Sequence, residues 1–184
     1  MLSHYFVDVT GLVALSLNLS ALVRSSDRAL VKTTGWASAT WALNNLLIGA
    51  HTAAALSALS VGRQVSASVL RDHPARTKAI AFAAFAAATL LIAVATWSGF
   101  GTMFPVLGSL MASYAMFYMR DAALRWAMVA VNALWMVNAV AAGSWWQIAA
   151  NGIAGAAGVI GAWRARPRRR DQVAAGTGAC CCAV

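Results

Sequence analysis

The chain has 184 residues, 61% of them hydrophobic and only 10% charged, with a mean hydropathy of +0.68. A soluble domain carries about a quarter of its residues as Asp, Glu, Lys and Arg, so a water-facing globule is excluded and lipid is the expected solvent. The formal net charge of +9 (14 Lys+Arg against 5 Asp+Glu) sits at the borders of apolar runs; it forms no stripe on a polar domain, which argues against a nucleic-acid partner and reads as membrane loops.

A spanning helix needs about 20 mostly apolar residues, and seven stretches come close: 6–23, 30–48, 52–69, 79–97, 104–118, 124–142 and 145–163. No Lys or Arg precedes the first run and Asp8 lies within it, the wrong flank for a secretory leader, so the first helix is expected to stay. Arg24, Asp27 and Arg28 separate the first two spans, and Gly49-Ala50-His51 makes a tight turn before the third. The next loop holds Arg71, Asp72, His73, Pro74 and Arg76; Pro74 restricts His73 to extended backbone. Trp97-Ser98-Gly99-Phe100-Gly101 is a glycine-broken aromatic loop, Arg120-Asp121 precedes the sixth span, and Gly143-Ser144 precedes the seventh. The predicted fold class is therefore an all-α integral membrane protein with seven transmembrane helices.

Loop charge orients these spans. The first, third and fifth loops carry Arg24, Arg28, Arg71, Arg76, Lys78, Arg120 and Arg125, while the second, fourth and sixth carry no Lys or Arg. The tail adds Arg164, Arg166, Arg168, Arg169 and Arg170. Cytoplasmic loops concentrate Lys and Arg, so the expected topology has the amino terminus outside and the basic tail in the cytoplasm. Trp97, Phe100, Trp145 and Trp146 fall at the outer border, where an aromatic belt belongs. The tail cluster reads as an anchor to anionic lipid. Cys180, Cys181 and Cys182 are adjacent and have no distant partner, so no disulfide framework follows; the ending fits a prenylation box only superficially, and its Ala/Gly surroundings read as a disordered tail.

An internal repeat links the two ends of the chain. Trp41 and Trp135, Asn44 and Asn138, and Gly49 and Gly143 all stand 94 positions apart (135 − 41). The shared element is Trp-x-x-Asn-x-x-x-x-Gly, ending the second and the sixth span without a gap. Spans one to three then match spans five to seven, with span four as a linker, and the even number of crossings between equivalents makes them parallel repeats. The expected organisation is a first three-helix repeat at 1–72, a linker helix at 73–98, a second repeat at 99–166 and a basic, cysteine-bearing cytoplasmic tail at 167–184.

The second half carries Leu134-Trp135, then Gly143-Ser144, then Asn151-Gly152 with Gly155. With the three-plus-one-plus-three order, this resembles the SWEET and PQ-loop class of small-solute transporters. At finer grain, the length, the arginine after the fifth span and the Trp and Gly-Ser pattern make the chain similar to the YgjV-type bacterial inner-membrane proteins. The SWEET likeness implies a Trp and an Asn facing a central pocket, and therefore passive transport of a small neutral solute. It also implies hinge prolines in the first helix of each triple; the only proline within a span is Pro105, and the first repeat puts Ser57 opposite Asn151.

The candidate ligand-binding residues are Asn138, Asn151, Asn44, Ser57, Trp41 and Trp135. Each has a plainer reading. Asn at membrane depth also serves as interhelical glue, as would Asn45, worth about 0.6–2 kcal/mol, and Trp also packs or anchors at the interface. Asp8 and Lys32 are taken as the ionisable residues nearest the inside of a span; both lie near ends, so the mid-membrane region is expected to lack an acidic relay, against a proton-driven pump. Gly152, Gly155, Gly158 and Gly161 follow the small-residue spacing of close helix packing. His4, His51 and His73 lack ligand spacing, so no metal site is expected. There is no paired-carboxylate, Ser-His-Asp or phosphate-loop signature, and the seventh span has no lysine for a retinal Schiff base. Neither an enzyme nor a cofactor is expected. The expected partners are the bilayer and a small neutral solute, with a homo-oligomer left open. The rival reading is a non-transporting partner or regulator of another membrane complex.

Overall fold

The computed structural model describes residues 2–23, 27–70 and 72–165. They form seven α-helices: α1 Leu2–Val23, α2 Asp27–Leu47, α3 His51–Val69, α4 Ala75–Ala95, α5 Met103–Tyr118, α6 Asp121–Ala141 and α7 Trp145–Ala165, with a 3₁₀ turn at Phe100–Thr102 before α5. The tail after residue 165, with Cys180–Cys182, lies outside the described residues, as do Arg24 and the side chain of Lys32.

Glycine and proline set the helix ends. Pro74 caps α4 with φ −55° and ψ 152°, and Pro105 is the third residue of α5, in the first turn, where no intrahelical N–H is needed. Gly49 and Gly143 stop α2 and α6 at φ +76° and +67°, a left-handed conformation that costs a residue with a Cβ about 1–2 kcal/mol. Both ends close with the same bonds. The Ala50 N–H donates to Asn45 O (2.9 Å) and the Gly49 N–H to Leu46 O (3.1 Å); Ser144 donates to Ala139 O (3.0 Å) and Gly143 to Val140 O (3.1 Å). Each donor and acceptor of the second set stands 94 positions after its counterpart in the first.

The second helix packs on α1 and α3 and the sixth on α5 and α7; α3 packs on α5 and α7 on α1, closing a six-helix ring. The fourth helix lies against α3 and α5. Only 11% of its apolar stretch is buried, and Ile80, Leu90, Leu91 and Val94 face outward, so lipid is its main neighbour. Ala75–Ala95, Phe100–Tyr118 and Ala122–Ala141 are long and apolar enough to cross a membrane. The second and third helices are diluted by Asn44, Asn45, Thr52, Ser57 and Ser60, all of which are buried. Polar groups inside and aliphatic groups outside invert the pattern of a water-soluble bundle. The glycine stripe of α7 faces α6: a Cβ on Gly152, Gly155 or Gly158 would meet Met136, Asn132 or Val129.

Candidate functional site

Two clefts lie at the end of the ring where α2, α4 and α6 finish. The first, about 370 Å³, runs along the α3–α5 seam and is lined by His51, Thr52, Thr96, Ser98, Thr102, Pro105 and Asn138, among others. The second, about 430 Å³, sits at the α7–α1 seam and is lined by Val7, Asp8, Leu47, Ile48, Gly143, Ser144, Trp145 and Trp146. Every residue of the second has its 94-position counterpart in the lining of the first: Val7 with Gly101, Asp8 with Thr102, Trp146 with Thr52, and so on around the wall.

The two clefts differ in chemistry. In the second, Trp146 Nε1 donates to Asp8 Oδ1 at 2.9 Å, tying α7 to α1. In the first, Thr52 and Thr102 stand in those places. The Thr52 hydroxyl bonds Thr96 O (2.8 Å) and lies 2.7 Å from Thr96 Oγ1, and Ser98 bonds Thr102 Oγ1, so the wall is short hydroxyls with no indole across it. The asparagines differ likewise. Asn44 Nδ2 donates to Val7 O (2.8 Å) and Thr10 Oγ1 (3.0 Å), whereas Asn138 Nδ2 is buried with no partner at the wall of the first cleft.

The candidate residues drawn from the sequence therefore separate in space. Of them, only Asn138 lines either of these two clefts. Asn44 bonds α1, and Ser57 accepts from Asn45 Nδ2 at 3.4 Å. Trp41 packs with Ala14 and Ala150 between α1, α2 and α7. Trp135 packs against the Leu56–Ala93–Val106 cluster, its Nε1 3.1 Å from the point a Gly108 Cβ would occupy. Asn151 is half-buried on α7 and lines neither cleft.

One expectation is overturned. The ionisable group inside a span is neither Asp8 nor Lys32 but Arg63, on α3 and only 4% exposed. It lies about 18 Å along the helix from His51 and about 9 Å from Val69, and its guanidinium turns onto α5 instead of snorkelling to either end. Its Nη1 donates to Ser109 O (2.8 Å), Ser109 Oγ (3.0 Å) and Ser113 Oγ (3.2 Å), and its Nη2 to Ser60 Oγ (2.7 Å). The Nε is buried without a partner. All these acceptors are neutral, so the guanidinium bridges α3 and α5 with no counter-charge among the described residues. Such burial costs several kcal/mol per ion before hydrogen bonds offset it. The signal was available in Ser60, one turn before Arg63, and in Ser109 and Ser113, spaced i, i+4 on one face of α5.

A seven-helix bundle with aliphatic side chains outward and amides, hydroxyls and a guanidinium at its seams is a polytopic integral membrane protein. The chain belongs to the Imp-YgjV family of bacterial inner membrane proteins, which it matches over residues 5–169. No curated protein and no solved structure matches it.

Proposed function

We propose that the protein is a SWEET-like passive facilitator for a small polar solute, working by alternating access between two parallel three-helix repeats joined by α4. In this reading the end carrying Gly49 and Gly143 faces outside, with the amino terminus, and the basic tail is cytoplasmic. The paired glycine caps, the paired clefts and the ring closed by two equivalent seams support the repeat, because each recurs at one constant offset. Parallel repeats with a site at their interface are a transporter architecture.

The observation that carries the proposal is the first cleft. It lies between the two triples, carries the hydroxyls of Thr52, Thr96, Ser98 and Thr102 on its wall, and contains a buried amide, Asn138 Nδ2, with nothing to donate to. An unpaired buried donor costs about 1–3 kcal/mol, a penalty that a solute oxygen relieves. The expectation of a neutral solute comes from the SWEET likeness together with the missing acidic relay; the buried Arg63 adds a positive charge at the same seam, which extends the solute class from neutral to polar. The test is uptake by proteoliposomes across sugars, nucleosides, vitamins and small organic acids. Uptake of at least one class that falls in Asn138→Leu is expected; no uptake of any class would leave the rival reading, a membrane partner without flux.

A further inference from the structure

We infer that Arg63 is the binding residue for a small carboxylate, held at the α3–α5 seam by its free Nε edge. As the solute class of the facilitator, this rests on the transport reading; as a binding site, it stands or falls separately.

The argument starts from charge. The chain has five acidic residues, all Asp. Asp8 accepts from Trp146 at the other seam, and Asp72 is exposed in the α3–α4 loop. Asp27 begins α2; the Gln64–Ser38 bond fixes the α2–α3 register and leaves Asp27 about 18 Å along the axis from the level of Arg63. Asp121 begins α6, past the end of α5, and Asp171 lies outside the described residues. Among the described residues, then, only neutral oxygens meet the guanidinium. A charge buried in a membrane protein pairs with another charge or with backbone carbonyls, and such a residue marks a solute path; Arg63 has one carbonyl, Ser109 O, and no counter-charge among the described residues.

Geometry narrows the ligand. Three serine hydroxyls and one carbonyl hold Nη1 and Nη2, which fixes the plane of the fork. The hydroxyl protons of Ser60 and Ser113 are spent on Leu56 O and Ser109 O, so these oxygens act on Arg63 as acceptors. What remains is the Nε edge. Side-on pairing through Nε and an Nη is a planar match for a carboxylate.

The seam also supplies a route in three layers, each about one helical turn from the next. The polar cleft lies at Thr52 and Pro105. Below it Leu56 and Val106 meet Ala93 in an apolar layer. Below that lie Ser60, Ser109 and Arg63. This is an occluded arrangement, in which parting Leu56 from Val106 connects the cleft to the guanidinium.

The experiment uses the full chain purified in detergent. Its thermal unfolding midpoint is titrated at constant ionic strength with acetate, succinate and inorganic phosphate, and with propionamide as a neutral isostere. Acetate or succinate is expected to raise the midpoint saturably while propionamide does not. Arg63→Lys keeps the charge but loses the side-on edge, so its half-saturating concentration should rise about ten- to hundred-fold; Arg63→Gln should abolish the response, and Ser68→Ala should leave it unchanged. An equal response to propionamide, a response to phosphate alone, no response at all, or an unaltered response in Arg63→Lys overturns the assignment. Should Arg63→Gln fail to fold, the wild-type probe comparison and the lysine variant still decide. Vesicle uptake separates the two readings. Saturable carboxylate binding without uptake of any solute refutes the facilitator and keeps the site. Sugar uptake indifferent to Arg63→Lys, with no carboxylate response, refutes the site and keeps the facilitator.

Discussion

Replacing Gly11 by alanine should loosen the α1–α7 seam. A Cβ built at Gly11 falls 2.6 Å from both Cδ1 and Cγ of Trp146 and 2.8 Å from its Cβ. Carbon atoms rest at about 3.5–4.0 Å, so the indole has to retreat by about 1 Å. It is not free to do so. Its Nε1 is bonded to Asp8 at 2.9 Å, and the ring packs on the Ala14–Trp41–Ala150 cluster. A 1 Å retreat takes the Asp8 bond beyond hydrogen-bond range. Overpacking costs about 1–3 kcal/mol, and with the Asp8 bond lost as well the upper part of that range, about 2–3 kcal/mol, applies; the gain of about 0.5–1 kcal/mol when Ala replaces Gly inside a helix leaves a net loss of about 1–2.5 kcal/mol. The assay is thermal unfolding of the purified protein in detergent. Gly35→Ala, which meets nothing within 4 Å on α2, is the control and should be neutral or stabilising. Adding Trp146→Leu to Gly11→Ala should recover much of the loss relative to Trp146→Leu alone. A Gly11→Ala protein as stable as wild type would refute the reasoning, and so would equal losses in the presence and absence of the indole.

Gly49→Ala and Gly143→Ala should each destabilise the protein by about 1–2 kcal/mol, because both positions are left-handed; matched melting curves check this. Asn44→Ala removes donations to Val7 and Thr10 and should cost about 0.6–2 kcal/mol, while Asn138→Ala, whose Nδ2 has no partner, should cost less in stability and more in uptake, a contrast read from melting and vesicle flux together. In the proposed topology, a membrane-impermeant thiol reagent should modify Cys180–Cys182 only in inside-out vesicles; labelling of intact spheroplasts would reverse the orientation.

The helices were legible because their ends are chemically abrupt. Gly49, Pro74, Gly99, Gly143 and the Arg-Asp pair at 120–121 break the apolar runs where helix geometry fails or charge needs water, and the helix ends fall within a few residues of those breaks. Arg63 is hidden at that level because it lies inside the third span and not at a border. A single guanidinium among Ala, Ser and Leu does not interrupt an apolar run, and its depth is felt only when Ser109 and Ser113 arrive from another helix. The divergence of Asn44 and Asn138 was also hidden. The two share one register, but the counterpart of Thr10 is Phe104, which has no hydroxyl, and the counterpart of Val7 is Gly101, in a 3₁₀ turn. The 94-position correspondence holds for the asparagine and not for the groups that receive its protons.

The Arg63 contacts also impose a schedule on synthesis. Most hydroxyls here bond a carbonyl of their own helix, as Thr10 does to Phe6, Ser16 to Leu12 and Thr89 to Phe85, so a helix carrying them enters lipid already satisfied. The third helix is different. Two of its guanidinium's three serine partners lie on α5, 46 and 50 residues later in the chain. A polypeptide emerging amino end first therefore presents α3 while those partners are still unmade. In the proposed topology, the cheapest place for Arg63 until α5 arrives is near the cytoplasmic border, its side chain reaching for water. The third helix then reaches its final depth only after two further crossings have been inserted.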